Sequence, residues 1–113
     1  MVWIKDKVSS YVKIQGSNII DLKDNLGGSL EYSYWPKIIV DQTGNPNVVF
    51  QGKITADANW GIYYLKKNGT AWGSVDMISQ KNYDQQTPSI ALYQSTGAMI
   101  FTNGTEVLVS FLQ

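Results

Sequence analysis

Gly52-Lys53-Ile54-Thr55-Ala56-Asp57-Ala58-Asn59-Trp60 and Gln80-Lys81-Asn82-Tyr83-Asp84-Gln85-Gln86 each set one large aromatic among amides and an aspartate. Residues of these types combine flat stacking with directed hydrogen bonding. An indole or phenol ring accepts the apolar C–H face of a sugar, and Asn and Asp side chains orient its hydroxyls. Trp60 and Tyr83 are the expected platforms, and Asp57, Asn59, Asn82 and Asp84 their expected polar partners. A structural role competes at each platform: Trp60 could cap a sheet sandwich, and Tyr83 could seal a contact between subunits.

Other chemistries are bounded by what the chain lacks. The 113 residues include no histidine, no cysteine and no arginine. The usual general base and thiol nucleophile are therefore missing, and proton transfer would fall to two glutamates, seven aspartates and the lysines. A pair of carboxylates on distant loops could in principle serve glycoside hydrolysis, but the expectation is a protein that is not an enzyme. Calcium is the one metal this composition accommodates, yet no Asp-x-Asp-x-Asp ladder occurs. Asp21, Asp24, Asp41 and Asp84 read as turn formers and caps, so neither a bound metal nor a cofactor is expected.

The charge balance is zero, with nine lysines against nine carboxylates. Without guanidinium forks, and with Lys66-Lys67 as the only adjacent basic pair, nucleic acid is not an expected partner. Lys66-Lys67 reads as the soluble end of a hairpin. The N-terminal Met1-Val2-Trp3-Ile4-Lys5-Asp6-Lys7 places charges where a signal peptide needs an apolar core, and no apolar run approaches the ~20 residues of a membrane span. A soluble chain without membrane insertion is expected.

The elements that must position the two loops are strands. From residue 34 onward apolar and polar positions alternate over short runs separated by turns. Ile38 and Val40 follow Pro36, then a turn over Asp41–Asn47 leads to Val48-Val49-Phe50. Gly61–Leu65 is a third strand. The turn Lys67-Asn68-Gly69-Thr70 leads to a fourth over Ala71–Ser79, Asn-Gly supplying the positive φ of a tight hairpin. Asn68-Gly69-Thr70 and Asn103-Gly104-Thr105 also match the glycosylation sequon, but turn geometry explains both.

Trp35-Pro36-Lys37-Ile38-Ile39-Val40 and Thr87-Pro88-Ser89-Ile90-Ala91-Leu92 open similar strand-turn-strand units about fifty residues apart. Repetition at this period is the mark of propeller blades. The expected fold is all-β, with two propeller-blade-like, four-stranded antiparallel units in a single domain. Residues 1–33 would form an N-terminal strand plus an extension, 34–86 the first unit, and 87–113 a second unit lacking its fourth strand. Trp3–Ser9 could supply that strand, and Ser17–Gly27 reads equally as a short helix or a hairpin partner. Trp35, Phe50, Tyr63 and Trp72, lying in strands, are expected to fill cores between units.

Residues 35–101 resemble degenerate blades of the sialidase-like, or BNR-repeat, β-propellers. The resemblance rests on Pro36-x-Ile-x-Val-Asp41, Gly44, Val48–Phe50, Gly61-Ile-Tyr-Tyr64, Gly69-Thr70-x-Trp72, Ile78-Ser79 and Pro88-Ser-Ile-Ala91. It implies the propeller shape without the hydrolase, because those enzymes clamp a substrate carboxylate with arginines. Of the Ser-x-Asp-x-Gly-x-Thr-Trp box of such blades, only Gly69 and Trp72 stand here, with Leu65, Lys67 and Ala71 at the Ser, Asp and Thr positions. In such a blade both aromatic loops open on the same face.

Two units cannot close a ring of four to eight blades, so a homo-oligomer, with a trimer favoured, is expected to complete it. The expected function is non-catalytic recognition of a glycan or surface receptor. The alternative is a structural subunit of a virion, phage tail or surface appendage. A self-contained sandwich or barrel also fits the length.

Overall fold

Short alternating runs between turn residues favour strands over helices from residue 34 onward. The computed structural model describes residues 1–56, 58–78, 86–93, 96–102 and 107–112, with side chains described up to residue 78 and at 88–91. The strands are β1 (Val2–Lys5), β2 (Val8–Gln15), β3 (Asn18–Lys23), β4 (Tyr32–Val40), β5 (Pro46–Lys53), β6 (Gly61–Asn68), β7 (Ala71–Trp72), β8 (Asp76–Met77), β9 (Gln86–Tyr93), β10 (Thr96–Thr102) and β11 (Val107–Leu112). All pairings are antiparallel, and among the described residues there is no helix. The strands form three sheets in chain order: β1-β2-β3, then β4-β5-β6-β7 with β8 also on β6, then β11-β10-β9.

The first sheet corrects the expected reading of the N-terminal third. Trp3–Ser9 is not one strand, because Asp6 and Lys7 both take positive φ (50° and 72°) and turn the chain between the paired Lys5 and Val8. A two-residue turn of this hand matches the twist of its flanking strands, which is why it forms even without glycine. β1 therefore pairs with β2 in its own sheet. Residues 18–23 are a strand, with Gly16 (φ 61°) opening the turn between paired Gln15 and Asn18. The β-branched Ile19 and Ile20 suit that strand better than a helix.

The second sheet is the middle layer. Val48, Phe50, Tyr63 and Leu65 are buried on one of its faces with Tyr11, Leu26 and Leu30. Phe50 and Tyr63 stack there, with ring centroids 5.9 Å apart. Alternation puts Val49 and Ile62 on the reverse face, and both are fully buried as well. β9 packs across β4, β5 and β6, and Pro88 on it is fully buried. At the other side β4 packs against β1 and β2, so the first strands of the three sheets lie in sequence beside one another.

The fourth strand of this sheet is broken where Ala71–Ser79 reads as continuous. Trp72 pairs with Lys67 and Asp76 with Tyr64, so three residues, Gly73 to Val75, stand opposite two on β6. That bulge blunts the sheet edge. In the hairpin before it the central pair is Gly69-Thr70, with Gly69 at φ 61° and Asn68 still paired to Ala71. The sequon at 103–105 lies outside the described residues.

The first two sheets are joined by a seam of buried polar groups. The Ser9 amide donates to Ser33 Oγ at 2.7 Å and the Ser9 hydroxyl donates to the Ser33 carbonyl at 2.6 Å. Ser33 N–H donates to the Lys7 carbonyl at 2.9 Å, and Leu26 N–H to the Ser9 carbonyl at 2.8 Å. Lys67 forms a close ion pair with Asp21 across the same junction, and the Tyr11 and Trp72 rings meet edge to face at 5.0 Å. Lys66 pairs with Asp41 at 3.6 Å. The adjacent lysines are thus spent on two separate carboxylates.

Candidate functional site

At one end of the second sheet four aromatic side chains gather. Tyr32 and Tyr34 are two apart on β4, so they share a face, and they pair across to Lys53 and Gln51 of β5. Trp60 stands just before β6. Its ring lies 5.5 Å from Tyr34, tilted by 37°, and 6.2 Å from Tyr32, at 66°. Lys53 places its ammonium 4.5 Å from the Trp60 ring centroid, and Lys7 lies 5.4 Å over Tyr32. A cation over a ring face is attracted to the negative side of its quadrupole, which fixes both rings in place.

Trp35 extends this cluster outward. Between the pairs Tyr34↔Gln51 and Lys37↔Val49, two residues of β4 face one of β5, a bulge that turns the strand. Trp35 occupies it with φ 55°. Glycine is the usual occupant of that conformation; a bulky residue there is an outlier. The indole is 58% exposed and lies 6.3 Å from the Tyr34 ring. Trp35 therefore does not fill a core as its strand position suggests, whereas Phe50 and Tyr63 do, and Trp72 is half-buried on the seam.

Of the six residues expected to form a site, Trp60 is in the cluster and Asn59 is exposed beside it. Asp57, Asn82, Tyr83 and Asp84 lie outside the described residues. Tyr32, Tyr34, Trp35 and Lys53 were not among the expected site residues. The signal that could have found the aromatics is the run Tyr32-Ser33-Tyr34-Trp35 immediately before Pro36. Its density of rings exceeds what one buried strand face accepts.

Burial raises the Tyr63 phenol; burial, and then the Asp41 charge, raises Tyr64. Tyr11 is raised by burial and by Asp21, against the opposing pull of Lys67. Asp41 is lowered to about 2, chiefly by the Thr43 hydroxyl and then by the Asn45 amide. Each shift keeps its group in the form it already has at neutral pH. Among the described residues no group of three or more carboxylates stands close enough to hold a metal ion.

A cleft of about 510 Å³ opens elsewhere, between the first sheet and the far end of β4, lined by Met1, Tyr11, Ile14, Ile38, Val40 and Pro46 among others. No Asn, Asp or Gln is among the described residues lining it. It therefore offers apolar contact but few means of orienting a hydroxylated ligand. Among the described residues no helix is long and apolar enough to cross a membrane. Comparison with known proteins finds no matching family model, curated protein or solved structure.

Proposed function

We propose that the chain is a non-catalytic recognition module that binds carbohydrate, as a free glycan or on a surface receptor, through Trp35, Tyr34 and Trp60. The observation that carries this reading is Trp35: a strained backbone holds an indole out in solvent beside two further rings. Strain of this kind persists where surrounding structure over-determines it, and it concentrates at ligand sites. Stacking platforms with Asn59 and Lys53 at their margin suit a hydroxylated ring.

The sheets serve in this reading as blade-like units of a sialidase-like propeller without its chemistry, with the ring completed by oligomerisation. The adjacent first strands β1, β4 and β9 support it. Three sheets per chain, where two units were expected, bring the copies needed for a six-bladed ring from three to two. Several weak sites on one ring would gain avidity on a multivalent surface.

A glycan array probed with the wild type, Trp35→Ala and Trp60→Ala tests the reading. Binding by the wild type that weakens about tenfold or more in each variant is expected, the scale of one lost stacking contact. Absence of binding by the wild type, or equal binding by all three, overturns it.

The second reading, a structural subunit of a virion, phage tail or surface appendage, is favoured by the exposed Ile14, Ile19, Ile20 and Leu22 on the β2–β3 hairpin. Co-purification with a larger particle would support it. A fibre protein that also recognises a receptor would combine both.

A further inference from the structure

The cleft between the first sheet and the end of β4 lies well away from the aromatic cluster. Tyr32 begins β4 and Val40 ends it, so about 26 Å of strand separates the two places. Val12 of β2 and Pro46 of β5, both buried, form the floor of the cleft. Around them Met1, Ile14 and Val40 stand 64%, 48% and 58% exposed. Large apolar side chains left in water around one concavity are what a ligand site presents, because an apolar guest releases that water.

The charge at the cleft is as particular as its walls. Lys13 is the one charged residue among the described residues lining it. Asp21 stands opposite Lys13 in the register, but Asp21 is held by Lys67. Asp41, in the turn that brings Gly44 to the cleft, is held by Lys66 at 3.6 Å. Among the described residues Lys13 itself forms no ion pair. An apolar hollow therefore adjoins one cation that neither neighbouring carboxylate contacts. Its complement is a molecule with a hydrocarbon body and one anionic end.

We propose that this cleft is a second binding site, for an aliphatic carboxylate of medium chain length: the chain lies against Val12, Ile14 and Val40, and the carboxylate accepts from the Lys13 ammonium. A volume of about 510 Å³ is that of a small-molecule site. The lining has no Asn, Asp or Gln to orient several hydroxyls, so this is not a further sugar site. An exposed ion pair contributes little by itself. The chain therefore supplies most of the affinity, and Lys13 decides which charge the ligand carries. The site does not depend on the glycan reading.

Calorimetry of the full chain with octanoate, and with octylammonium as a guest of equal chain and opposite charge, tests this at pH 7. The wild type is expected to bind octanoate saturably, with a dissociation constant of about 1 mM or below and a negative heat-capacity change from apolar burial. Acetate, which keeps the head and lacks the chain, should not bind measurably. Octylammonium should bind about tenfold more weakly than octanoate. Lys13→Gln should abolish that preference and Lys13→Glu reverse it, both leaving glycan binding unchanged. Ile14→Ser should weaken both guests about tenfold, with circular dichroism verifying its fold.

No saturable heat with octanoate overturns the proposal, as does a preference for octanoate that survives in both Lys13 variants. A wild type that binds no octanoate and sediments as a dimer that Ile14→Ser dissociates would mean that a second copy covers the cleft, which also overturns it. So would co-sedimentation with phosphatidylglycerol vesicles that is lost in Ile14→Ser, since the apolar rim would then meet a bilayer in place of a single chain. Failure of glycan binding with octanoate binding intact would reject only the reading of the aromatic cluster.

Discussion

At Trp35 the backbone holds φ at 55°, which costs a side-chain-bearing residue about 1–2 kcal/mol relative to glycine. The indole is 58% exposed, so it recovers little of that through burial. Trp35→Gly is therefore expected to raise the unfolding free energy by about 1 kcal/mol in urea titration, at constant m-value, while weakening glycan binding. Trp35→Ala keeps the strained conformation and should lose binding without gaining stability. A Trp35→Gly protein less stable than wild type would mean that the ring packs more than its exposure implies. The aromatic run before Pro36 is legible in the sequence, and so is Trp60. The bulge is not: alternation assigns Trp35 to a strand face, and the register shift depends on which partner residues β5 offers.

The hairpin joining β4 to β5 is organised by one carboxylate. Asp41 Oδ1 accepts from the Thr43 amide at 3.0 Å, the Thr43 hydroxyl at 2.7 Å and the Asn45 amide at 2.9 Å. Gly44, at φ 86°, donates its N–H to the Asp41 carbonyl at 3.0 Å, closing the turn. The hydroxyl and amide donors lower the Asp41 pKa from its ordinary 3.8 to about 2. A carboxylate depressed in the native state contributes its full stability above the ordinary value and loses it as pH falls toward the native one. Between pH 4 and pH 2 the wild-type Tm should therefore fall more steeply than that of Asp41→Asn, which should also melt lower at pH 7. Parallel melting curves across that window would show that the turn does not depend on the charge. This turn was legible because Asp, Gly and Asn each carry a local conformational preference. The β2–β3 hairpin is less legible, because Ile19, Leu22 and Leu26 follow the spacing of a helix face, and only pairing with β2, with Ile20 bulged out of register, decides for the strand.

Across the molecule, the first two sheets depend on a joint that apolar patterning alone does not reveal. Ser9 and Ser33 are both fully buried, and the Ser33 hydroxyl accepts the Ser9 amide at 2.7 Å while the Ser33 amide reaches the Lys7 carbonyl at 2.9 Å. Beside them a Cβ on Gly27 would meet the Ser33 Cβ at 3.0 Å, so the crossing tolerates no added bulk. The same joint carries Lys7 to its position over Tyr32, linking the first sheet to the aromatic cluster. Ser33→Ala removes the acceptor of a buried amide, at a cost of about 1–3 kcal/mol. If the joint is a separable unit of stability, that cost falls on the first sheet. Native-state hydrogen exchange should then show the Val12 amide speeding up by about tenfold or more, at 1.4 kcal/mol per factor of ten. The amides of Phe50 and Leu65, in the layer packed on both faces, should change much less. Equal acceleration at all three would mean that the sheets open together and that the seam only transmits a stability set by the common core.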